Sequence, residues 1–544
     1  MFIEPVFGKK FFGREEVLGT LHKRVTALKG GYRQNLALTG PMLTGKSSIL
    51  RHFIKDIQDL DVIPIYIEMG GNDFSIFASR FTATLLYRYL KMVGETAEGD
   101  MDVLMNACKS MIPETVHQIE IINKSIKKKK IDAAYEMLLE LTSIFKKETG
   151  KSCLVILDEF HNLSNFRLKK PFQTFGKFIM VQKNTMYVVS SSQKTLLREI
   201  LAKRLDLLFG NFEIIDVDGF DNPTARSFMS ERIDGFEHSD KVRNYIIQIT
   251  QGNPFYMEVL ADRFSQKFFE DNQILSVREC LLNAFAEVLY ESDGVLNQYF
   301  NNNINFFLEM KSRKHFLPIL LALAMGNNKV KDIQSFLAKP YRDLGTKLQK
   351  LQEMDLVYSS GVFYKISDKL FEYWLKYVYH LKTRSMIDDM DIKYVEFKNL
   401  VGKDFLGYSA AESENIIERI CELFRNFDNE KIQIRLNFKK LPRFDYVKAI
   451  PLRNNIFRII GAIGDKFWVC HVKLGDIAGE QDICTLWAYK SEKNNKKIIR
   501  KIFIHLNGIE QNAFLLTKDQ NIWAWGVKQL NEIFRLYGRF ELVL

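Results

Sequence analysis

Near the N-terminus, two glycines, a lysine and a serine follow an apolar strand pattern at short, fixed spacing. Residues 35–50 read NLALTGPMLTGKSSIL, in which four residues separate Gly40 from Gly45-Lys46-Ser47 and a helical pattern follows. Glycines let backbone N–H groups turn toward a phosphate, and the N-terminus of the next helix presents its dipole to the negative charge. The lysine can reach β- and γ-phosphates, and the serine hydroxyl can ligate Mg²⁺. The spacing therefore predicts a phosphate-binding loop, GxxxxGK[ST]. Its predicted nucleotide contacts are Gly40, Pro41, Thr44, Gly45, Lys46, Ser47 and Ser48.

A second apolar run ends in two carboxylates. Residues 153–160 read CLVILDEF, which suits a strand buried on both faces of a parallel sheet and running into Asp158-Glu159. In a site that hydrolyses a nucleotide, Asp158 would hold the Mg²⁺ shell through water, and Glu159 would orient the attacking water. We therefore expect these acids to complete the site that the loop begins.

Two further strand candidates flank this acidic strand. They are VIPIYIEM (62–69) and TMYVVSSSQ (185–193). The polar end of the second one allows Ser191 or Ser192 to sense a γ-phosphate, although a simple transition from strand to loop explains the same residues. The predicted catalytic residues are thus Glu159, Lys46 and Ser192.

Length and composition limit the class of protein. At roughly 150 residues per domain, 544 residues predict three or four domains, and 47% hydrophobic with 26% charged residues fits ordinary globular cores. The longest apolar run, 316–325, is too short to cross a bilayer, and the start of the chain resembles no secretion signal, so we expect a cytoplasmic protein without membrane association. Six scattered cysteines form no CxxC pair and argue against structural zinc and disulfides.

The positive net charge does not by itself identify a binding partner. A net charge of +11 and a pI near 9.0 favour a polyanionic partner such as nucleic acid, but a lysine-rich overall usage gives the same balance. Within 391–544 we count 25 basic and 19 acidic residues, so +6 of the +11 lies there.

Five motifs in order resemble one family. They are FFGREEVL (11–18), GPMLTGKSS, LVILDEF, LFGNFEIIDVDGF (208–220) and GNPFYMEVL (252–260). Together they resemble the archaeal-type ATPases of the AAA+/STAND superfamily over about residues 1–390. The resemblance implies ATP as the nucleotide. It also implies that Gly13 and Arg14 lie near the base, and that Gly252 and Pro254 belong to a helical lid over the adenine. A plain turn between helices is the alternative for the last pair.

This sequence departs from the family at its arginines. Relatives commonly carry an arginine after the Phe-Gly pair, where this chain has Asn211, and no arginine adjoins Pro254. Arg204 is the nearest substitute and the fourth predicted catalytic residue, as a finger acting on a neighbouring subunit; a solvated helix face is the alternative. Without such an arginine hydrolysis should be slow. We therefore expect a switch, with a nucleotide-dependent homo-oligomer as an open option.

The chain beyond the nucleotide site divides into further modules. Helical patterns between 72 and 148 predict an inserted helical region, whose run Lys127–Lys130 is either a phosphate contact or a solvated turn. From 316 to 379, helix patterns followed by the strands LVYSSG and VFYKIS suggest a winged helix, similar to that of the same ATPases. Winged helices bind DNA or proteins. The predicted phosphate contacts on this one are Arg342, Lys347 and Lys350.

The last 150 residues resemble a PD-(D/E)XK, or restriction-endonuclease-like, domain. We predict a helix over 412–424, strands KIQIRLNF, NIFRIIGAI and KFWVCHVKLG, a long helical region, a strand AFLLT (513–517) and a terminal helix. Active members carry an Asp and a Glu-x-Lys that bind metal. Here the positions read Gly461-Ala462 and His471-Val472-Lys473, so only Lys473 remains, as a nucleic-acid contact candidate. We expect a nuclease-like fold retained for binding.

The predicted fold is therefore α/β. It comprises a P-loop NTPase core with a parallel sheet (1–218, with the helical insertion at about 72–148), a helical lid (219–307), a winged helix (308–390) and a degenerate nuclease-like basic domain (391–544). The leading function is an ATP- and Mg²⁺-binding, slowly hydrolysing switch ATPase acting on duplex DNA. The alternatives are an ATP-driven signalling or defence scaffold that recognises a protein partner and, lastly, a DNA-cleaving effector.

Overall fold

The computed structural model describes residues 4–57, 61–71, 73–96, 99–205, 211–233, 239–270, 276–309, 315–337, 343–384, 389–434, 437–490 and 497–543. The chain separates into two compact units, of which the first comprises Met1–Gly219 with Glu353–Asp355 and the second comprises Phe220–Gln352 with Leu356–Leu544. The finer division into four domains stays a prediction. No helix within the described ranges is long and apolar enough to cross a membrane.

The first unit is an α/β structure in which helices cover both faces of a sheet. Its elements are α1 (Glu15–Lys29), β1 (Asn35–Thr39), α2 (Lys46–Asp56), β2 (Val62–Glu68), α3 (Phe74–Met92), α4 (Met101–Cys108), α5 (Pro113–Lys127), α6 (Ile131–Thr149), β3 (Ser152–Asp158), α7 (Pro171–Val181), β4 (Thr185–Ser191), α8 (Lys194–Glu199) and β5 (Phe212–Asp216). A 3₁₀ segment, Phe160–Phe166, follows β3. The strands predicted from the segments NLALT, VIPIYIEM, CLVILD and TMYVVSSSQ are confirmed.

The sheet has the order β2-β3-β4-β1-β5, and all its strands are parallel. Every residue of β3 is buried, because alternate side chains enter two apolar cores. Leu154 and Ile156 pack with α1 and α2, whereas Val155 and Leu157 pack with α3 and α6. Since all strands run the same way, the loops after β1, β3 and β4 meet at one edge of the sheet. This edge therefore collects the residues predicted to do chemistry.

The predicted helical insertion between β2 and β3 consists of α3, α4, α5 and α6. Aromatic and aliphatic residues on their inner faces, including Phe77, Phe81 and Tyr135, join the core on one side of the sheet. The turn between α5 and α6 contains Lys127–Lys130, all of them exposed. This environment fits the solvated turn rather than a built phosphate site.

The second unit begins with helices and ends with a second sheet. Its elements are α9 (Asn222–Ser230), α10 (Ser239–Thr250), α11 (Pro254–Glu270), α12 (Val277–Phe285), α13 (Val295–Glu309), α14 (Phe316–Ala324), α15 (Val330–Phe336), α16 (Leu344–Glu353), β6 (Val357–Ser360), β7 (Phe363–Ile366), α17 (Lys369–Trp374), α18 (His380–Arg384), α19 (Met390–Ser413), α20 (Ile416–Arg425), β8 (Glu430–Ile434), β9 (Asn437–Leu441), β10 (Tyr446–Pro451), β11 (Ile456–Ile463), β12 (Lys466–Lys473), α21 (Glu480–Ala488), β13 (Lys497–His505), α22 (Gln511–Asp519), β14 (Trp523–Gly526) and α23 (Val527–Leu536). The helices and the β6–β7 hairpin predicted between 316 and 366 are present.

The second sheet has the order β10-β11-β12-β13-β14. Its first three strands are antiparallel, and β13 and β14 continue it in parallel. Two predictions for this region were wrong. AFLLT lies in helix α22, because this apolar run is too short for its periodicity to distinguish a helix from a strand. The region predicted as one long helix contains strand β13, whose central residues are buried beside β12.

The β6–β7 hairpin packs tightly against strand β8 within this unit. The backbone N–H of Val362 donates to the carbonyl of Lys431 at 3.0 Å, and the Ser360 hydroxyl donates to the carbonyl of Gln433 at 3.0 Å. A side chain at Gly361 would overlap with the Lys431 backbone, so only glycine fits at this tip. The backbone of the hairpin tip therefore contacts the C-terminal part of the chain, while the Val362 side chain stays exposed.

Candidate functional site

The loop between β1 and α2 has the geometry of a phosphate cradle. Helix α2 begins at Lys46 directly after Gly45, whose φ of 91° places it in the left-handed region that favours glycine. The first N–H groups of a helix lack partners within it and can bind an anion. A Cβ at Gly40 would overlap with the backbone oxygen of Val217, so the other glycine is also required by close packing. The backbone geometry of the loop therefore requires glycine at both positions.

Lys46 lies inside this loop with its side chain buried. Its Nζ donates to the carbonyl oxygens of Gly40 at 2.8 Å and Pro41 at 2.6 Å, and only 5% of the residue is exposed. Burial lowers the pKa of this amine, whereas the nearby carboxylates of Glu159 and Asp158 raise it. A buried ammonium group with neutral carbonyl partners fits an anionic phosphate. Ser47, the predicted Mg²⁺ ligand, lies half-buried beside it at the start of the helix.

Asp158, the predicted metal-binding acid, is 1% exposed and held by two hydroxyls. The hydroxyl of Tyr66 on β2 donates to its Oδ2 at 2.6 Å, and the hydroxyl of Ser190 on β4 donates to its Oδ1. Burial and the Asp158 charge raise the pKa of Tyr66, so this phenol stays protonated. Both neighbours were missed from sequence, because their contacts depend on β2 and β4 flanking β3. The bound carboxylate has the fixed orientation that a metal site needs.

Glu159 and Ser192 lie in direct contact where β3 and β4 end. Glu159 has a φ of 53°, a strained conformation for this residue type, and its N–H donates to Asp158 Oδ1 at 3.1 Å. Its Oε2 accepts hydrogen bonds from the N–H and the hydroxyl of Ser192, both at 2.9 Å. The hydroxyl of Ser192 thus contacts the catalytic candidate Glu159, and its role as a γ-phosphate sensor stays a prediction.

His161 is a further residue that sequence reasoning missed at this edge. Its Nδ1 lies 2.8 Å from the hydroxyl of Ser191 and 3.3 Å from Glu159 Oε2. Burial lowers the pKa of this imidazole, Glu159 raises it and the Lys46 charge lowers it. Its position two residues after Glu159 was the available signal.

The other predicted contacts of the first unit surround the same loop. Arg14, at the start of α1, donates to the carbonyls of Thr44 at 3.0 Å and Asp218 at 2.7 Å. Gly13 and Arg14 both have positive φ, which turns the chain into the helix. The Ser48 hydroxyl accepts from the N–H of Val6 at 3.0 Å, so it secures the N-terminal segment. The loop is thus supported from both sides.

Comparison with known proteins agrees with this geometry. Residues 11–260 match the family model described as "ATPase domain predominantly from Archaea", slightly less than half of the chain. The matched region contains the phosphate loop, Asp158 and Glu159. No curated protein matches the sequence.

Solved structures that resemble this chain are distant in sequence. A Walker-type ATPase of Pyrococcus abyssi is 16% identical over 69% of this chain and 99% of its own, with a TM-score of 0.46. The ORC2 protein of Aeropyrum pernix is 11% identical over 74% and 98%, with a TM-score of 0.42. The Aeropyrum pernix ORC1 protein, solved in complex with DNA, is 14% identical over 68% and 93%, with a TM-score of 0.34. At these TM-scores no function is carried over to this chain.

The glycine-proline corner, near the end of the region that matches the family model, lies in the second unit. Helix α11 begins at Pro254, and Gly252 has a φ of 69°. A Cβ at Gly252 would overlap with the backbone of Phe220, whose N–H donates to the Gly252 carbonyl at 2.7 Å. The corner is therefore rigid. Its predicted role as a lid over adenine stays a prediction.

The basic residues predicted outside the nucleotide loop have different surroundings. Arg204 pairs with Glu199 at 3.0 Å in a partly exposed ion pair, a geometry that fits the solvated helix face. Lys347 is half-buried and Lys350 is exposed, both on α16. Arg342 lies outside the described residues. A role in hydrolysis for Arg204 and phosphate contacts for these lysines stay predictions.

Lys473, predicted to contact nucleic acid, is paired within the second unit. Its Nζ donates to Asp482 Oδ2 at 2.8 Å, and both side chains are largely buried. His471 on the same strand is 0% exposed, and its Nε2 accepts from Nε of Arg458 at 3.0 Å. Because the lysine charge is neutralised by Asp482, Lys473 is a weaker anion contact than the sequence indicated.

Acid should destabilise this region through His471. Burial, with Arg458 and Lys501 nearby, lowers the pKa of the folded imidazole from 6.5 to about 3. Below pH 6.5 the unfolded chain therefore binds a proton that the folded chain does not, and the free energy of unfolding falls as pH falls toward 3. We expect a loss of about 3 kcal/mol between about pH 8 and about pH 4. His471→Gln should lack this loss in chemical unfolding followed by tryptophan fluorescence. An equal loss in the variant contradicts this assignment.

Proposed function

We propose that this protein is a slowly hydrolysing, AAA+/STAND-type ATP switch whose nucleotide state controls binding to duplex DNA. One observation carries the proposal. The phosphate loop with buried Lys46 and the acids Asp158 and Glu159 converge at the carboxyl ends of parallel strands, within a matched ATPase domain. This combination can bind the phosphates, hold a metal and orient water.

The residues divide the work of hydrolysis. The loop N–H groups and Lys46 would hold the β- and γ-phosphates, and Ser47 and Asp158 would hold Mg²⁺, which when bound neutralises the developing charge. Glu159 would orient the attacking water and accept its proton at Oε2. That oxygen accepts two hydrogen bonds from Ser192, so a water bound there competes with them. This competition supports slow hydrolysis and a switch.

The DNA-binding part of the proposal rests on charge in the second unit. We assign 1–218 to the ATPase core with its insertion at about 72–148, 219–307 to a helical lid, 308–390 to a winged helix and 391–544 to a degenerate nuclease-like domain. Lys439 and Arg500 each lie 4.4 Å from the centre of the Trp523 ring, and no carboxylate pairs with either among the described residues. Two such cations suit a phosphate backbone. Exposed Lys350 adds a third candidate.

A protein partner is the second candidate function, and the β6–β7 hairpin favours it. The backbone of this hairpin tip is bonded to β8, which restricts how the hairpin can enter a DNA groove, and the exposed Val362 side chain offers an apolar contact to a protein. On this reading, ATP would drive assembly into a homo-oligomer or a signalling or defence scaffold that recognises a protein.

DNA cleavage is not part of the proposal. The position of the metal-binding Glu holds His471, and Lys473 is paired with Asp482. No cluster of three His, Cys, Asp or Glu side chains in the described ranges is arranged to hold a metal ion. Mg²⁺-dependent cutting that Lys473→Ala abolishes would restore the nuclease hypothesis.

The steady-state ATPase rate with and without duplex DNA tests the proposal. The purified full chain is measured at fixed low salt, with Glu159→Gln as the blank. We expect a slow basal rate that rises with DNA and a DNA affinity that falls as salt is raised. A slow rate that DNA leaves unchanged, together with ATP-dependent assembly, would replace DNA by a protein partner.

A further inference from the structure

A cavity lies in the first unit, along the outer edge of strand β2. It has a volume of about 460 Å³ and is lined by residues of β2, α2 and α3 together with Phe7 and Ile57. Because β2 is the edge strand, with α2 over one face of the sheet and α3 over the other, the cavity opens between these two helices. It is separate from the phosphate loop, which lies after β1.

The rim of the cavity is strongly basic. Arg51 and Lys55 contribute to it from α2, and Arg88 and Lys91 from α3. No carboxylate lines the cavity among the described residues. Arg51 reaches Glu68 only at 3.8 Å, outside the lining, and its buried Nε has no hydrogen-bond partner in the described structure. Four cations facing one concave space raise the local concentration of an anion.

The floor of the cavity is apolar. Ile54, Val62 and Ile63 line it and are almost fully buried, and the ring of Tyr66 stands beside them with the Arg51 guanidinium 4.8 Å from its centre. A ligand that meets this surface must bury an apolar or aromatic group as well as place negative charge at the rim.

The edge strand narrows the choice of ligand. One alternative ligand is an acidic peptide that adds a strand to β2, since edge strands offer unpaired N–H and C=O groups. However, Pro64 lies in the middle of the lining part of β2 and has no N–H to donate. An added strand would lose that hydrogen bond, whereas a compact ligand does not need it. The volume lies within the range of small-molecule pockets.

We propose that this cavity binds a compact amphipathic anion, an apolar or aromatic body that carries a phosphate or carboxylate group. Arg51, Lys55, Arg88 and Lys91 bind the charge, and the floor binds the apolar body. Tyr66 links this cavity to the ATPase site, because its ring faces the ligand space and its hydroxyl donates to Asp158. Binding itself does not depend on the function proposed above.

Calorimetric titration with 1-naphthyl phosphate tests this site. The controls 1-naphthol and inorganic phosphate each lack one half of the chemistry, and 1-naphthoate distinguishes a carboxylate from a phosphate. We expect one saturable site for the naphthyl anions in the Lys46→Ala background, where the phosphate loop is disabled, and binding of either control should be at least about tenfold weaker. Arg88→Gln with Lys91→Gln should weaken binding about tenfold or more, and Arg80→Gln, on the exposed face of α3 outside the cavity, should leave it unchanged.

A second set of titrations distinguishes binding in this cavity from binding at the phosphate loop. Each titration is repeated in full-length Lys46→Ala protein, and the proposal requires the same difference between the double variant and the Arg80→Gln control in both backgrounds. Equal affinity in the double variant overturns the site, as does inorganic phosphate binding as tightly as the naphthyl anion. Tighter binding of an acidic extended peptide would overturn the compact ligand in favour of an added strand.

Discussion

Replacing Lys46 by alanine should abolish measurable ATP binding at micromolar nucleotide. The ammonium group is buried inside the loop, where the carbonyls of Gly40 and Pro41 hold it in place for a phosphate. Losing a buried, charge-assisted contact costs about 2 to 5 kcal/mol, which weakens binding about 30-fold to several thousand-fold. Equilibrium titration with a fluorescent ATP analogue measures the change.

Two controls separate this effect from misfolding. Lys23→Ala removes an exposed lysine of α1 and should leave the dissociation constant unchanged. Thermal unfolding of the Lys46→Ala protein without nucleotide should match that of the parent protein, whereas added ATP should raise the midpoint of the parent alone. Full ATP affinity in a folded Lys46→Ala protein would remove the loop from the binding site.

Replacing Glu159 by glutamine should preserve ATP binding and stop turnover. Glutamine keeps the size of the side chain and an oxygen that can accept from Ser192, but it cannot take a proton from water. Loss of a general base lowers the rate about 100- to 10,000-fold. Single-turnover hydrolysis gives the rate, and retention of ATP after gel filtration reports the trapped state.

The matched control for this substitution is Glu140→Gln, on the exposed side of α6. It should hydrolyse ATP at the parent rate. A Glu159→Gln protein that turns over ATP as fast as the parent would transfer the role of general base to another group, and His161, within 3.3 Å of the Glu159 carboxylate, would be the next residue to examine.

The sequence predicted much of the core site because its local signals agree. The loop glycines, the apolar strands and the acids that end β3 combine motif spacing with hydrophobic pattern, and the structure has these elements where the patterns put them. The contacts of Tyr66 and Ser190 with Asp158 could not be predicted. They require that β2 and β4 lie on the two sides of β3, and strand order is not a local property.

The C-terminal sheet was harder to predict for a different reason. Strands β10 and β14 are short and only partly buried, so their alternation is weak, and the apolar run of α22 fits either periodicity. The ion pair between Lys473 and Asp482 was also not predicted. Its partner Asp482 lies nine residues away, at the start of α21, and a turn brings the two together.

The contact of the β6–β7 hairpin with β8 limits how the protein can be divided into fragments. Because the backbone at Gly361 and Val362 contacts β8, a chain shortened before residue 430 would lose this contact and leave apolar residues such as Phe363 without part of their packing. Such a fragment should aggregate or be degraded, so its failure to bind DNA would say nothing about where DNA binds. Charge substitutions at Lys439 and Arg500 in the full-length protein are the sounder way to map that surface.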